Sequence, residues 1–385
     1  MVEPVNPLSE AEVADLRRLA EVSVTLIAEA QDPVSGAYPA AVGFEPYGGF
    51  CWFRDGAFIA EGMSRAGAVS SATAFHDWCA GVLKREAPAV ASLVADVAAG
   101  SQPSDAELLP ARYTLAGDRH DDGWWNYQVD GYGTWLWALR SHLARWELPV
   151  APYVAAAETA VRYLAAVGDQ TCRDWWEEHR DETHVSTLAS VHGGLRAAAS
   201  LGILPATADM AADRIGDLVS RAGVYDGALR KWLGSTAVDA SLVVAGVPFE
   251  LVPPSGPVMA ATVDRVTSEL STPGGGVHRY RADTFYGGGQ WPILAAFLGW
   301  HHAVAGSRDR AAELLRWIAS TADSSGRLPE QVPPLLAPGV LPEWLDRWGP
   351  SARPLLWSHA MFLILASELA PMIINLSCRS DDTKG

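Results

Sequence analysis

Two short stretches set carboxylates beside rigid or aromatic neighbours. In Trp175-Trp176-Glu177-Glu178, two large apolar rings precede two glutamates, with Asp174 just before them. A carboxyl beside indole rings is partly desolvated, which disfavours its charged form and raises its pKa toward the range of a general acid. Flat indole faces also suit sugar rings, whose axial C–H groups stack on aromatics. In Leu328-Pro329-Glu330-Gln331, Glu330 follows a proline and is expected in extended backbone, its side chain presented from the loop. Each stretch has a plainer reading. Glu177 and Glu178 suit an acidic helix N-terminus, and Glu330 suits a solvated loop. Taken singly, those readings are the better ones. Two carboxylates facing each other across an aromatic pocket are the minimum for glycoside hydrolysis.

Further polar groups lie beside aromatics. Trp52-Phe53-Arg54-Asp55 offers either a plain ion pair or a pair gripping sugar hydroxyls. Trp124-Trp125-Asn126 is followed by Gln128 and Asp130, and His278-Arg279-Tyr280 by Asp283. Other chemistries find less support. His179 and His184 lack the spacing that puts two imidazoles on one helix face. Asp121-Asp122 lacks the loop of a calcium-binding hand. Gly287-Gly288-Gly289 follows no strand, so a nucleotide loop is not expected. No metal and no cofactor are expected. The net charge of −16 argues against nucleic acid or an anionic membrane as partner. The cysteines at 51, 79, 172 and 378 form no CxxC pair, and reduced thiols are the expectation. The first twelve residues carry neither a basic nor an apolar leader segment. The longest apolar stretch, 355–369, is broken by Ser358 and His359 and is too short to span a bilayer. A cytoplasmic protein is expected.

The elements that would position these groups read as helices. Ser9 and Glu12 form a capping box, and Val13, Leu16, Leu19, Ala20, Val24 and Ile27 recur at helical spacing to about Ala30. Eleven more helices are expected near 54–66, 70–99, 130–146, 152–167, 183–201, 205–221, 238–247, 257–270, 290–305, 308–321 and 356–369. No stretch alternates convincingly as a strand. A long loop precedes every even-numbered helix, and most even helices are followed by a short link. Even helices begin roughly every 60 residues, the mark of a repeated helix pair. The pattern predicts an all-α fold, an (α/α)6 barrel of six helical hairpins with its long loops at one end. The even helices would form the inner ring, where small residues such as Ala189, Gly193 and Gly194 permit close packing. Residues 1–378 are read as a single barrel domain and 379–385 as a frayed tail. Ten of the sixteen tryptophans lie in or beside the long loops, a bias that core filling does not explain.

Trp52-Phe53-Arg54-Asp55, Trp175-Trp176-Glu177-Glu178, His278-Arg279-Tyr280, Glu330-Gln331 and Trp357-Ser358-His359-Ala360 follow one another in the order found in glycoside hydrolase family 15. The chain resembles that family over about residues 10–370. The resemblance implies an (α/α)6 barrel that hydrolyses glycosides with inversion, with Glu177 as acid and Glu330 as base. It implies that Arg54, Asp55, Glu178 and Arg279 hold the terminal glucose. Trp52, Trp124, Trp125, Asp174, Trp176 and Trp357 complete the expected binding residues, and Asp239 matches a further family motif. An inverting mechanism needs the two carboxyls roughly 6.5–9.5 Å apart. The chain has no room for the N-terminal β-sandwich of many bacterial members. The expected substrate is a short α-gluco-oligosaccharide, α-1,6-linked such as isomaltose ahead of α-1,4. A glucoamylase-like α-1,4-glucosidase and a trehalase are alternatives. Outside hydrolysis, the same barrel could be a sugar epimerase or isomerase, or a non-catalytic sugar-binding protein.

Overall fold

The computed structural model describes residues 7–120, 123–124 and 127–374. The order is α1 (Glu10–Ala30), α2 (Glu45–Gly48), β1 (Phe50–Trp52), α3 (Phe53–Arg65), α4 (Val69–Ala98), β2 (Arg112–Thr114), α5 (Asp130–Arg145) and α6 (Val154–Val167). Then follow α7 (Val185–Ser200), α8 (Pro205–Ala222), β3 (Val224–Tyr225), β4 (Ala228–Leu229) and a 3-10 helix (Ala240–Ala245). The chain continues with α9 (Pro257–Leu270), α10 (Pro292–Val304), α11 (Arg308–Ser320), α12 (Leu341–Trp348) and α13 (Leu356–Leu369). The inner ring runs α3, α5, α7, the 3-10 helix, α10 and α13, and α13 packs back on α3 to close it. Helices α1, α4, α6, α8, α9 and α11 lie outside.

The two rings differ in sequence because they differ in burial. In α8 only Ala208, Ala211, Ala212, Ile215 and Val219 are buried, one stripe at a 3.6-residue period. In α13 twelve of fourteen residues are buried, including Ser358 and His359. A helix apolar all round belongs inside such a ring. Inner neighbours approach backbone to backbone. A Cβ on Gly194 would stand 2.3 Å from the Gly133 carbonyl oxygen, and one on Gly133 would stand 2.3 Å from that of Ser190.

All twelve expected helices are present, with one correction. The segment 238–247 is a 3-10 helix of six residues, capped by Asp239, whose Oδ1 accepts from Ser241 N at 2.9 Å. Pro248, just past it, cannot donate to a continuing helix. Two short antiparallel pairs, β1 with β2 and β3 with β4, were not expected. Nor were α2 and α12, which lie within the first and last long loops. Asp121, Asp122, Trp125, Asn126, Cys378 and the tail 379–385 lie outside the described residues. The other three cysteines are free and buried. Among the described residues, no helix is long and apolar enough to cross a membrane.

Candidate active site

The N-terminal ends of α3 and α13 and the loops entering α7 and α10 converge on one pocket. Its walls include Tyr47, Trp52, Arg54, Asp55, Trp124, Trp175, Trp176, Glu177, Glu178, Arg279, Glu330 and Trp357. Trp175 and Trp357 form the floor, their ring centroids 5.8 Å apart, with the Arg54 guanidinium 5.9 Å and 5.4 Å from the two rings. The indole N–H groups of Trp175, Trp291 and Trp357 are buried with no protein partner among the described residues. All three rings line the pocket, so the walls offer donors to a polar guest among apolar faces.

Glu177 sits in a turn, with φ of 65°, and α7 begins only at Val185. The plain helix N-terminus is therefore not what these glutamates form. Asp174 builds the turn: its Oδ1 accepts from Trp176 N at 3.0 Å and Glu178 N at 2.9 Å, and its carbonyl accepts from Glu177 N at 2.9 Å. The Glu177 carboxylate accepts from Trp52 Nε1 at 2.6 Å on one oxygen and from Trp124 Nε1 at 2.5 Å on the other. Burial raises its pKa, against the pull of Arg54 and the two indoles.

Glu330 faces the same space from an extended segment paired with Gln290 through Val332. It is 2% exposed. Its Oε1 accepts from Tyr47 OH at 3.1 Å, and its Oε2 has no hydrogen-bond partner among the described residues. Burial pushes its pKa up to about 8, opposed by Tyr47 and by the charge of Arg279. Tyr47 and Trp52 pack edge to face with centroids 5.6 Å apart. One aromatic pair therefore spaces the two carboxyls, each ring bonded to one of them.

Two arginines hold the flanks. Arg54 Nη1 donates to Gln128 at 2.7 Å and Asp130 at 3.0 Å, and its Nε lies 3.3 Å from Asp55 Oδ2. The Arg54–Asp55 neighbours are thus an ion pair inside a larger cluster, and burial raises the Asp55 pKa to about 6. Arg279 is held by Asp283, at 2.8 Å through Nε, and reaches Glu178 Oε1 at 3.2 Å. Trp176, Tyr280, Phe285 and Trp291 surround its guanidinium. Tyr280 OH also donates to Glu178.

Of the expected site residues, Trp52, Arg54, Asp55, Trp124, Trp176, Glu177, Glu178, Arg279, Glu330 and Trp357 meet at the pocket. Asp174 does not. It turns away from the cavity to order the loop, and Lys231 Nζ lies 3.3 Å from its Oδ2. Asp239 is likewise structural, holding Trp176 Nε1 at 2.9 Å and Lys231 Nζ at 3.0 Å. Trp232 packs on His179 and His184 and is absent from the pocket walls. Asp174, Glu178 and His179 cluster closely enough to suggest a metal. Lys231, Arg279 and Tyr280 already engage the two carboxylates, so the donor set does not fit a cation.

Tyr47, Arg112 and Trp348 were missed from sequence, whereas Trp344 was expected to shape the site beyond the terminal sugar. Tyr47 stands in a Gly-Pro-aromatic loop with nothing local to single it out. Arg112 is buried between Phe50, Trp52 and Trp124, 3.8 to 5.2 Å from their centroids, and so stiffens the rings that bind Glu177. Trp344 and Trp348 line the rim from α12, and Trp348 stacks on Trp124 at 5.7 Å. The tryptophan bias of the loops was the signal for these two.

Comparison with known proteins identifies the family. The model for glycosyl hydrolases family 15 matches residues 17–321. An isomaltose glucohydrolase of Kribbella flavida is 51% identical over 369 residues, covering 94% of this chain and 95% of that protein. A glycosidase variant solved in complex with glucose superposes with a TM-score of 0.92 at 50% identity, over 94% of this chain and 99% of the other. A bacterial glucoamylase complexed with acarbose shares the fold at a TM-score of 0.72 and 20% identity, over 93% of this chain and 56% of the other. The chain belongs to glycoside hydrolase family 15 and is a glycoside hydrolase.

Proposed function

We propose that the protein removes a terminal glucose from short α-glucosides with inversion of configuration, α-1,6-linked isomaltose being the preferred substrate. The observation that carries this is the unequal burial of two carboxyls in one aromatic pocket. A pocket entered from one end takes a terminal sugar, and the leaving oxygen then points toward the mouth. Glu177 is partly exposed and lies beside Trp124, which stacks on the rim residue Trp348. It is placed to protonate that oxygen. Glu330 is the enclosed carboxyl, with one oxygen bound to Tyr47 and the other unbonded. It is placed to take a proton from water attacking the opposite face of the ring.

Burial lifts both carboxyls, so the direction of the shift does not separate acid from base. We assign the roles by position instead. The leaving group and the water approach from opposite sides, and only Glu177 stands on the mouth side. Asp55, Glu178 and Arg279 are placed to bind sugar hydroxyls. Arg54 acts more by neutralising Asp55 and Asp130. Trp124, Trp344 and Trp348 narrow the mouth, which suits a disaccharide better than a polymer. The isomaltose glucohydrolase at 51% identity supports the α-1,6 choice. Three buried free thiols fit a reducing compartment, and we place the enzyme in the cytoplasm.

Comparing kcat/KM on isomaltose, maltose, trehalose, dextran oligosaccharides and soluble starch tests the substrate. Isomaltose is expected to lead. A preference for long starch chains over every disaccharide refutes the small-substrate proposal.

A further inference from the structure

The motif Trp357-Ser358-His359 contributes one ring to the pocket, and its two polar residues point elsewhere. Ser358 is 1% exposed and His359 is fully buried. Both reach the segment that carries Glu330. Ser358 Oγ donates to the Pro329 carbonyl at 2.7 Å. His359 Nε2 accepts from Leu328 N at 3.0 Å. That bond requires Nε2 to be unprotonated, so Nδ1 bears the hydrogen and donates to Ser23 Oγ at 2.8 Å. Ser23 in turn donates to the Leu19 carbonyl within α1 at 2.8 Å. Burial drives the His359 pKa down to about 3, so the ring keeps this neutral form across the working range.

We propose that Ser358 and His359 are positioning residues for the Glu330 carboxyl, fixing the backbone just before it from the first turn of α13. This rests on the assignment of Glu330 as the base. The carboxyl is poorly tethered on its own: Tyr47 holds one oxygen, and no protein group among the described residues holds the other. Its place therefore depends on the backbone behind it. Pro329 has no N–H, so its carbonyl is its only backbone hydrogen-bonding group, and Ser358 occupies it. His359 and Leu355 take the two backbone groups of Leu328, the latter through Leu355 N to Leu328 O at 3.0 Å. Glu330 N donates to the Ala352 carbonyl at 2.9 Å. Trp357 on the same turn forms the pocket floor. One helix terminus thus sets both the sugar platform and the base, and fixes the gap between them.

The test compares Ser358→Ala, His359→Gln and Glu330→Gln with the wild type on isomaltose, over a full pH range. Ser358→Ala removes one bond with the smallest change of shape and is the primary variant. It is expected to lower kcat by ~10- to 100-fold, as displacement of a reacting group by about an ångström does, while KM changes less than about threefold. The limb of the kcat/KM profile on the acid side should move to lower pH, because a carboxyl released from its buried place ionises more easily. The basic limb, which Glu177 sets, should stay. His359→Gln is expected to show the same signature. Wild-type kcat in Ser358→Ala with an inactive Glu330→Gln overturns the positioning proposal and leaves the base assignment standing. So does a loss shared equally by kcat and 1/KM with both limbs unmoved, since that reports general loosening. Near-normal turnover in Glu330→Gln removes the base assignment itself, and this proposal with it.

Discussion

Two glutamates share one aromatic-walled pocket, and their different partners should be visible in kinetics. Glu177→Gln and Glu330→Gln are each expected to lower kcat by about 10²–10⁴-fold, the usual reach of acid–base assistance. Near-normal turnover in either variant removes that residue from its role. The pH profile adds a sign. A base must be ionised, so activity falls as pH drops through the Glu330 pKa; an acid must be protonated, so activity falls as pH rises through that of Glu177. Burial raises both values, so both limbs should lie above the ordinary carboxylate range. Tyr47 OH stabilises ionised Glu330. Tyr47→Phe is expected to move the acid limb to higher pH and to cost about tenfold in kcat/KM on that side, the scale of one hydrogen bond to a charge. An unmoved limb contradicts the Tyr47–Glu330 contact. At this scale the sequence was legible where chemistry is local. Glu177 stands beside two indoles, and Glu330 follows a proline. It was not legible where partners meet across the barrel: Tyr47 reaches Glu330 over 283 positions, and Lys231 joins Asp174 to Asp239 only after folding.

The inner helices demand backbone contact, and two glycines bear it. A methyl group on Gly194 would meet the Gly133 backbone at 2.3 Å, and both residues lie on buried faces of α7 and α5. Gly194→Ala is expected to lower unfolding stability by roughly 1–3 kcal/mol, the usual cost of overpacking, in a denaturant titration. Unchanged stability would mean that the two helices are further apart than described. Helices were legible from periodicity because each outer one buries a single stripe. The 3-10 helix at Ala240–Ala245 was overextended to 238–247 because its apolar residues continue past the point where Pro248 stops the hydrogen bonding. Helix α12 went unread because it lies on the surface with no buried residue and no core stripe to complete. Its weight is in Trp344 and Trp348 at the pocket rim. Trp348→Ala removes the ring stacked on Trp124 and should raise KM for isomaltose about tenfold, a loss of roughly 1–1.5 kcal/mol of aromatic contact. An unchanged KM would take α12 out of substrate binding.

At the scale of the molecule, six helical hairpins close a ring and leave their long connections at one end. Charged and aromatic residues that are distant in sequence meet there. The buried rings of Trp175 and Trp357 line the pocket beneath them. On the proposed reading, a terminal sugar held there exposes its glycosidic oxygen to Glu177 and its opposite face to Glu330. The chemistry we propose there is a single displacement. The water–carbon bond forms as the glycosidic carbon–oxygen bond breaks; Glu330 takes one proton and Glu177 gives one. The stereochemistry of the first product tests this most directly. Proton NMR of isomaltose during the first minutes of hydrolysis should show the released non-reducing glucose as the β anomer, before mutarotation mixes the two. Initial release of that glucose as the α anomer would contradict single displacement between Glu177 and Glu330.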